Sequence, residues 1–236
     1  MWRKSFRTAL LGGFAEPLFY LLALGFGLKN SVGDVEGLSY VSFLTAGILA
    51  TTAMNAATFE GLYLAYTRME VLKTWDGMLA APLSIGDVVM GEVLWMATKS
   101  TISTGLLLIV TTILGLTPVW IGVVVLSVAF LAGLCFGGMA LLVTSLARGY
   151  DFFVYYSKLV ITPMMLLSGV YFPIASLPDA LGFGMSCLPL YHVVEIIRPL
   201  MAGRFAPDLL AHLAVPVVYA TAATGLSAWW LRRRLL

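Results

Sequence analysis

Charge is scarce in this sequence. Its 236 residues hold 14 Lys+Arg, 12 Asp+Glu and 2 His, and the 11% charged fraction falls far below the roughly 25% of a soluble domain. So few charges cannot cover a water-facing surface for a chain of this length. They also exclude a disordered chain and a basic nucleic-acid binder. Cysteine is rarer still: Cys135 and Cys187 make no disulfide scaffold and supply at most half of a tetrahedral zinc site. No G-x-x-x-x-G-K-[ST] run occurs, so the chain has no phosphate-cradling loop of its own. H-E-x-x-H, C-x-x-C and G-x-S-x-G are missing too, which leaves no zinc-peptidase, thiol-redox or serine-hydrolase pattern. What remains is apolar. Hydrophobic residues are 60% of the chain, which reads as an integral membrane protein.

A membrane helix needs about 20 mostly apolar residues. Six stretches qualify, at about 9–28, 38–59, 88–116, 119–147, 152–170 and 210–231. Backbone groups in lipid must be satisfied within the segment, so these are helices, and the strand alternation of a barrel is not present. The first run is too long for the apolar part of a cleavable signal, and no small-x-small site follows it. With the N-terminus placed in the cytoplasm, the inner side holds nine Lys and Arg: Arg3, Lys4, Arg7, Arg68, Lys73, Arg148 and Arg232–Arg234. The outer side holds three: Lys29, Arg198 and Arg204. The positive-inside bias puts both termini in the cytoplasm, which an even number of spans satisfies. No internal repeat or linker divides the chain, so residues 1–236 read as one all-α domain.

Two connections are long. In the inner one, Val71, Leu72, Trp75, Met78 and Leu79 recur with the spacing of one helical face, and Glu70, Lys73, Thr74 and Asp76 take the other. The pattern predicts an amphipathic helix over 69–81, ended by Pro82, with Ser84 and Asp87 capping the third span. Such a helix lies on lipid headgroups or docks a cytoplasmic partner. The outer connection, 171–208, holds Pro173, Pro178, Pro189, Pro199 and Pro207 between apolar pieces too short to span. Two short helices dipping into the outer leaflet fit it, either as a re-entrant element or as an external cap.

Charges inside spans are functional candidates by default. Glu16 precedes Pro17, Glu92 and Lys99 stand two turns apart, and Lys158 lies two turns into the fifth span. That span opens with an aromatic cluster including Tyr155 and Tyr156. These groups read either as interfacial charges and an aromatic belt or as a polar path for an anionic or sugar headgroup. His192 and Glu195 stand at i, i+3, a spacing that sets two ligands on one helical face, but no third ligand accompanies them.

Three stretches then carry a resemblance: "TWDGMLAAPLSIGD" at 74–87, "ITPMMLLSGVYFPIASLP" at 161–178 and "LPLYHVVEIIRPLMAG" at 188–203. Together they resemble the permease subunits of type-2 ABC exporters. "ATFEGLYLAYTRM", "GDVVMGEVLWMATK" and "YDFFVYYSKLVITPM" are similar to the nodulation-factor branch, which exports lipo-chitooligosaccharides. The resemblance implies a non-enzymatic membrane subunit of the bacterial inner membrane, multi-pass and working as a homodimer. Each copy would dock a separate cytoplasmic ATPase through the helix at 69–81, with Glu70, Val71, Leu72, Trp75, Met78 and Leu79 at the contact. ATP and magnesium would bind on that ATPase, and no cofactor on this chain. The family's external re-entrant helices map onto 180–200, within a segment marked by Pro173, Pro178, Pro189, His192 and Arg198. An amphiphile, as a lipo-oligosaccharide or glycolipid, would pass between the halves near spans one, two and five, by way of Glu16, Glu92, Tyr155, Tyr156 and Lys158. Export of drugs or other lipids by the same layout stays open. So do a secondary transporter built on Glu16, Glu92 and Lys158 and an intramembrane enzyme built on His192 and Glu195.

Overall fold

Apolar runs become helices, and the glycines and prolines between them become the turns. The computed structural model describes residues 17–27, 32–173 and 182–235. Glu16, Pro178 and the first part of the predicted first span lie outside the described residues. Residues 17–27 form helix α1, widened to π geometry at Leu21–Phe26. A hairpin of β1 (Asp34–Val35) and β2 (Leu38–Ser39) follows, turning at Glu36 and Gly37, both at positive φ. Ser39 caps α2, which runs Tyr40–Val71. A short helix α3 (Thr74–Leu79) leads into α4 (Ile85–Ile113), whose start is fixed by a reciprocal Ser84–Asp87 capping box. Then come α5 (Val119–Leu146), α6 over residues 151–167, α7 (Gly182–Ser186), α8 (Pro189–Met201) and α9 (Leu209–Leu235).

Four of these helices, α2, α4, α5 and α9, are long and apolar enough to cross a membrane. The protein is an all-α membrane protein. α6 coincides with the predicted fifth span but is built of three short consecutive pieces, π-helical at Ser157–Ile161. Two expectations change. The second span does not end at Phe59: it continues through π-helical turns to Val71 and carries Glu60, Arg68 and Glu70 on its last turns. At 32 residues and about 1.5 Å rise each, it exceeds the roughly 30 Å hydrocarbon thickness, so its charged end projects beyond the apolar layer. The amphipathic helix predicted over 69–81 is also interrupted. Lys73 adopts the left-handed conformation at φ 50° and ψ 29°, so the chain turns between Val71 and Thr74.

The long helices pack through small residues, as lipid-embedded helices must when no hydrophobic force drives them together. A Cβ on Gly133 of α5 would stand 2.5 Å from the Ala97 Cα of α4, so only glycine permits this approach. Beside it, the buried Ser100 hydroxyl lies 2.9 Å from the carbonyls of both Ala53 and Ala129, tying α4 to α2 and α5. Thr144 donates to the Gly61 carbonyl at 2.8 Å, joining α5 to α2 again. The long helices run alternately up and down. The α2–α4 connection, the end of α5, the start of α6 and the end of α9 therefore share one end of the bundle, called here the connector end.

Candidate functional site

Charge condenses at the connector end. Arg68 of α2 donates through Nε to Glu92 Oε1 at 2.9 Å and through Nη2 to Glu92 Oε2 at 2.5 Å, a two-pronged pairing with α4. Its Nη1 reaches Glu60 Oε1 at 2.9 Å, two turns back on α2. Two indoles complete the cluster. Trp75 Nε1 of α3 donates to Glu92 Oε1 at 3.0 Å, and Trp95 Nε1 of α4 donates to Glu60 Oε1 at 2.9 Å. Glu60 and Glu92 are buried at 4% and 7% exposure. Two carboxylates share one guanidinium, and the indole N–H groups supply the remaining donors. Three helices thus meet at one polar knot, with the connector fixed to both spans it joins.

This geometry reassigns Trp75. Sequence spacing grouped it with the outward docking face, yet it is 1% exposed and points into the knot. The break at Lys73 rotates α3 relative to the end of α2, so the apolar residues of 69–81 do not share one face. The exposed ones are Val71, Leu72 and Met78, at 60%, 66% and 38%, with Leu83 beyond them. Leu79 packs against the core. Glu70 turns sideways: it accepts from Arg234 Nη2 at 2.6 Å and pairs with Lys73 at 3.3 Å. The connector therefore presents an apolar patch outward while its indole is held inward.

The residues proposed for a substrate path are not brought together. Glu92 belongs to the knot. Lys158 and Tyr155 are exposed on the outer face of α6, and Lys158 forms no ion pair among the described residues. Tyr156 turns inward with a buried, unpartnered hydroxyl. Lys99 stacks over Trp95, which ties it to the neighbourhood of the knot. Sequence reading passed over Glu60 and Trp95, although Glu60 opens the turn after the apolar run and Trp95 follows Glu92 at i, i+3. It also passed over Asn55. This amide is exposed on α2 one turn before the exposed Phe59, and has no partner among the described residues.

The opposite end holds a second polar centre. Arg198 of α8 is 3% exposed, lies 3.9 Å over the Phe43 ring and donates to the Gly169 carbonyl. Its Nη1 stands 3.4 Å from Glu195 and 3.6 Å from Glu36 of the hairpin turn. Burial raises the Glu195 carboxyl against the pull of Arg198. His192 does not form the H-x-x-E ligand pair with Glu195. Its Nε2 donates to the Ser186 carbonyl at 2.8 Å, so neutral His192 offers a bare Nδ1, and His212 Nδ1–H donates to it at 2.9 Å. Among the described residues, no three His, Cys, Asp or Glu gather as a metal would require. Pro189 opens α8 at its first turn, where its missing N–H costs nothing, and Pro173 is half-buried before the segment. The two short helices expected in this connection are α7 and α8, and the 13-residue α8 is too short to span.

Long apolar helices tied together by buried polar contacts define an α-helical membrane protein, and comparison with known families supplies its class. A family model described as ABC-2 type transporter matches residues 1–202, and the chain belongs to that family. Membership implies a partner ATPase subunit. Relatives extend the match to the whole chain. It is 44% identical over 236 residues to Nodulation protein J of Rhizobium leguminosarum bv. trifolii, covering 100% of this chain and 90% of that protein. Nodulation protein J of Bradyrhizobium diazoefficiens is also 44% identical over 236 residues, with the same coverage. That of Rhizobium meliloti is 42% identical over 236 residues, again covering 100% and 90%.

Proposed function

We propose that this chain is one half of an ATP-driven exporter for an amphiphile, a lipo-oligosaccharide or related glycolipid, in the bacterial inner membrane. The chain is a single six-span domain with both termini in the cytoplasm. It holds no ATPase site and no cofactor; ATP and magnesium bind on the partner ATPase. Two copies associate, each seated on one ATPase through the connector. The observation that carries this reading is the connector itself. Val71, Leu72 and Met78 are exposed together at and just beyond the charged end of α2, while Trp75 and Met69 hold the segment from within. Motion imposed on α3 passes to α2 and α4 together, because Arg68 and Glu92 join them. Asn55, an amide open on an apolar helix, faces the path between the two copies, since in hydrocarbon it would lack a partner.

The test is co-purification in detergent with the ATPase encoded beside this chain. The unaltered pair is expected to elute together and hydrolyse ATP in a vanadate-sensitive way. Leu72→Asp places a charge in the patch without touching the knot. It is expected to abolish the complex while folding changes by no more than about 0.5 kcal/mol, the usual range for surface substitutions. A complex that survives Leu72→Asp intact removes the patch from the interface.

A further inference from the structure

A groove of about 370 Å³ opens at the connector end between the last turns of α5 and α9, lined by Ser145, Leu146, Arg148, Trp230, Arg233 and Arg234. Three guanidinium groups meet there, and among the described residues the only carboxylate paired with any of them is Glu70, held by Arg234. Arg234 also donates to the carbonyls of Ser145 at 2.8 Å and Ala147 at 2.9 Å, so it caps the end of α5 and occupies its free acceptors. Arg148 and Arg233 are exposed and form no ion pair among the described residues. Arg233 is braced by stacking 3.8 Å over the Trp229 ring, which itself stacks on Trp230. Donors are open and the nearby acceptors are occupied. The complement is a ligand rich in acceptors and negative charge.

We propose that this groove binds the phosphate of an anionic phospholipid, with Arg148 and Arg233 as the two charged contacts and Trp230 as the apolar wall. The choice of lipid rests on height. The groove opens where two apolar helices end, at the level of a tryptophan pair, and half-exposed Leu226 and Trp229 lead down α9 from its mouth for an acyl chain to follow. Basic pockets between membrane helices suit lipid headgroups, and each arginine near an anionic surface strengthens attraction about fivefold. The bound lipid would hold α9 against α5 and, through Arg234 and Glu70, steady the root of the connector. The inference rests on the proposed orientation, with the connector end cytoplasmic.

Native mass spectrometry of the purified chain in detergent tests this without the ATPase, so its outcome is independent of complex formation. Dioleoylphosphatidylglycerol is expected to remain bound at concentrations where dioleoylphosphatidylcholine does not. Arg148→Gln with Arg233→Gln is expected to weaken phosphatidylglycerol retention about 25-fold, on that fivefold increment for each arginine. Arg204→Gln, at the other end of the bundle, should leave retention unchanged. Replacing both groove arginines with lysine keeps the charge and should restore most of it. Equal retention of the two lipids, or a preference indifferent to the double substitution, overturns the proposal. So does displacement of the lipid by millimolar inorganic phosphate, which would mark a site for free anions.

Discussion

Removing Arg68 should damage this protein more than removing either of the charges it pairs with. Arg68→Ala leaves Glu60 and Glu92 buried at 4% and 7% exposure, each accepting only an indole N–H. Deleting one partner of a buried ion pair typically costs about 3–5 kcal/mol, because the remaining charge stays desolvated. The Arg68 side chain is 24% exposed, so water reaches one side of the knot and the expected cost lies near the lower end, about 3 kcal/mol. Glu92→Gln acts differently. It leaves Arg68 neutralised by Glu60, and the new amide oxygen still accepts from Trp75 or Arg68. The loss reduces to the charge assistance of the two Arg68 contacts, about 1–2 kcal/mol. Unfolding of the purified chain in a detergent series, followed by tryptophan fluorescence, reads both values, because Trp75 and Trp95 lie in the knot. A Glu92→Gln protein as unstable as Arg68→Ala would refute the reasoning. So would an Arg68→Ala protein within about 0.5 kcal/mol of the unaltered chain, the ordinary range of a surface substitution.

Two further substitutions separate position from contact. Trp75→Phe keeps most of the ring but removes the N–H to Glu92, and is expected to cost about 1.5–3 kcal/mol in the same unfolding assay while the ATPase still co-purifies. Loss of the ATPase from a well-folded Trp75→Phe protein would return the indole to the interface. Asn55→Leu should leave folding and ATPase binding intact and lower transport of a fluorescent glycolipid into inverted vesicles about tenfold, the loss of one or two kcal/mol of polar contact. Full transport by Asn55→Leu would place the amide against lipid instead.

Much of the fold is legible in the sequence because lipid makes helix formation a matter of apolar length. The bounds of α4, α5 and α9 follow the apolar runs closely, and the Ser84–Asp87 box marks the start of α4 both in spacing and in geometry. The connector was harder to read. A period of 3.6 assumes an unbroken helix, and a single left-handed residue, Lys73, rotates everything after it. Nothing in "EVLKTWDG" marks that lysine, since a non-glycine residue adopts the conformation only when its surroundings impose it. Unbroken helical spacing therefore puts Trp75 on the outward face, whereas the structure buries it. The knot was hidden for a related reason. Glu60, Arg68 and Glu92 are separated by 8 and 24 residues, and only the π-widened end of α2 and its packing on α4 bring them together. The final arginines enter the sequence reading only as inner-side charge, whereas Arg234 caps a neighbouring helix, a role fixed by tertiary contact alone.

Exposure has to be read differently in a protein of this class. Val119, Val123 and Leu210 are 80%, 78% and 84% exposed, which in water would demand a partner. In hydrocarbon they demand none, because the lipid tails are as apolar as the side chains. Apolar exposure on α5 or α9 therefore says nothing about where the proposed second copy would bind. Polar exposure does. The most apolar stretch of α2 is 83% buried, against 39%, 44% and 11% for α4, α5 and α9, so α2 is the central helix of a single copy. The uncovered part is small, and it carries Asn55 one turn before Phe59. A helix enclosed on nearly every side by its own chain keeps an amide on its open side only where water, a partner or a passing headgroup meets it. The same helix ends in the knot that holds the connector. The proposed path thus lies on the helix that anchors the connector, and the Trp75–Glu92 and Arg68–Glu92 bonds would carry motion of the connector to that helix across the turn at Lys73.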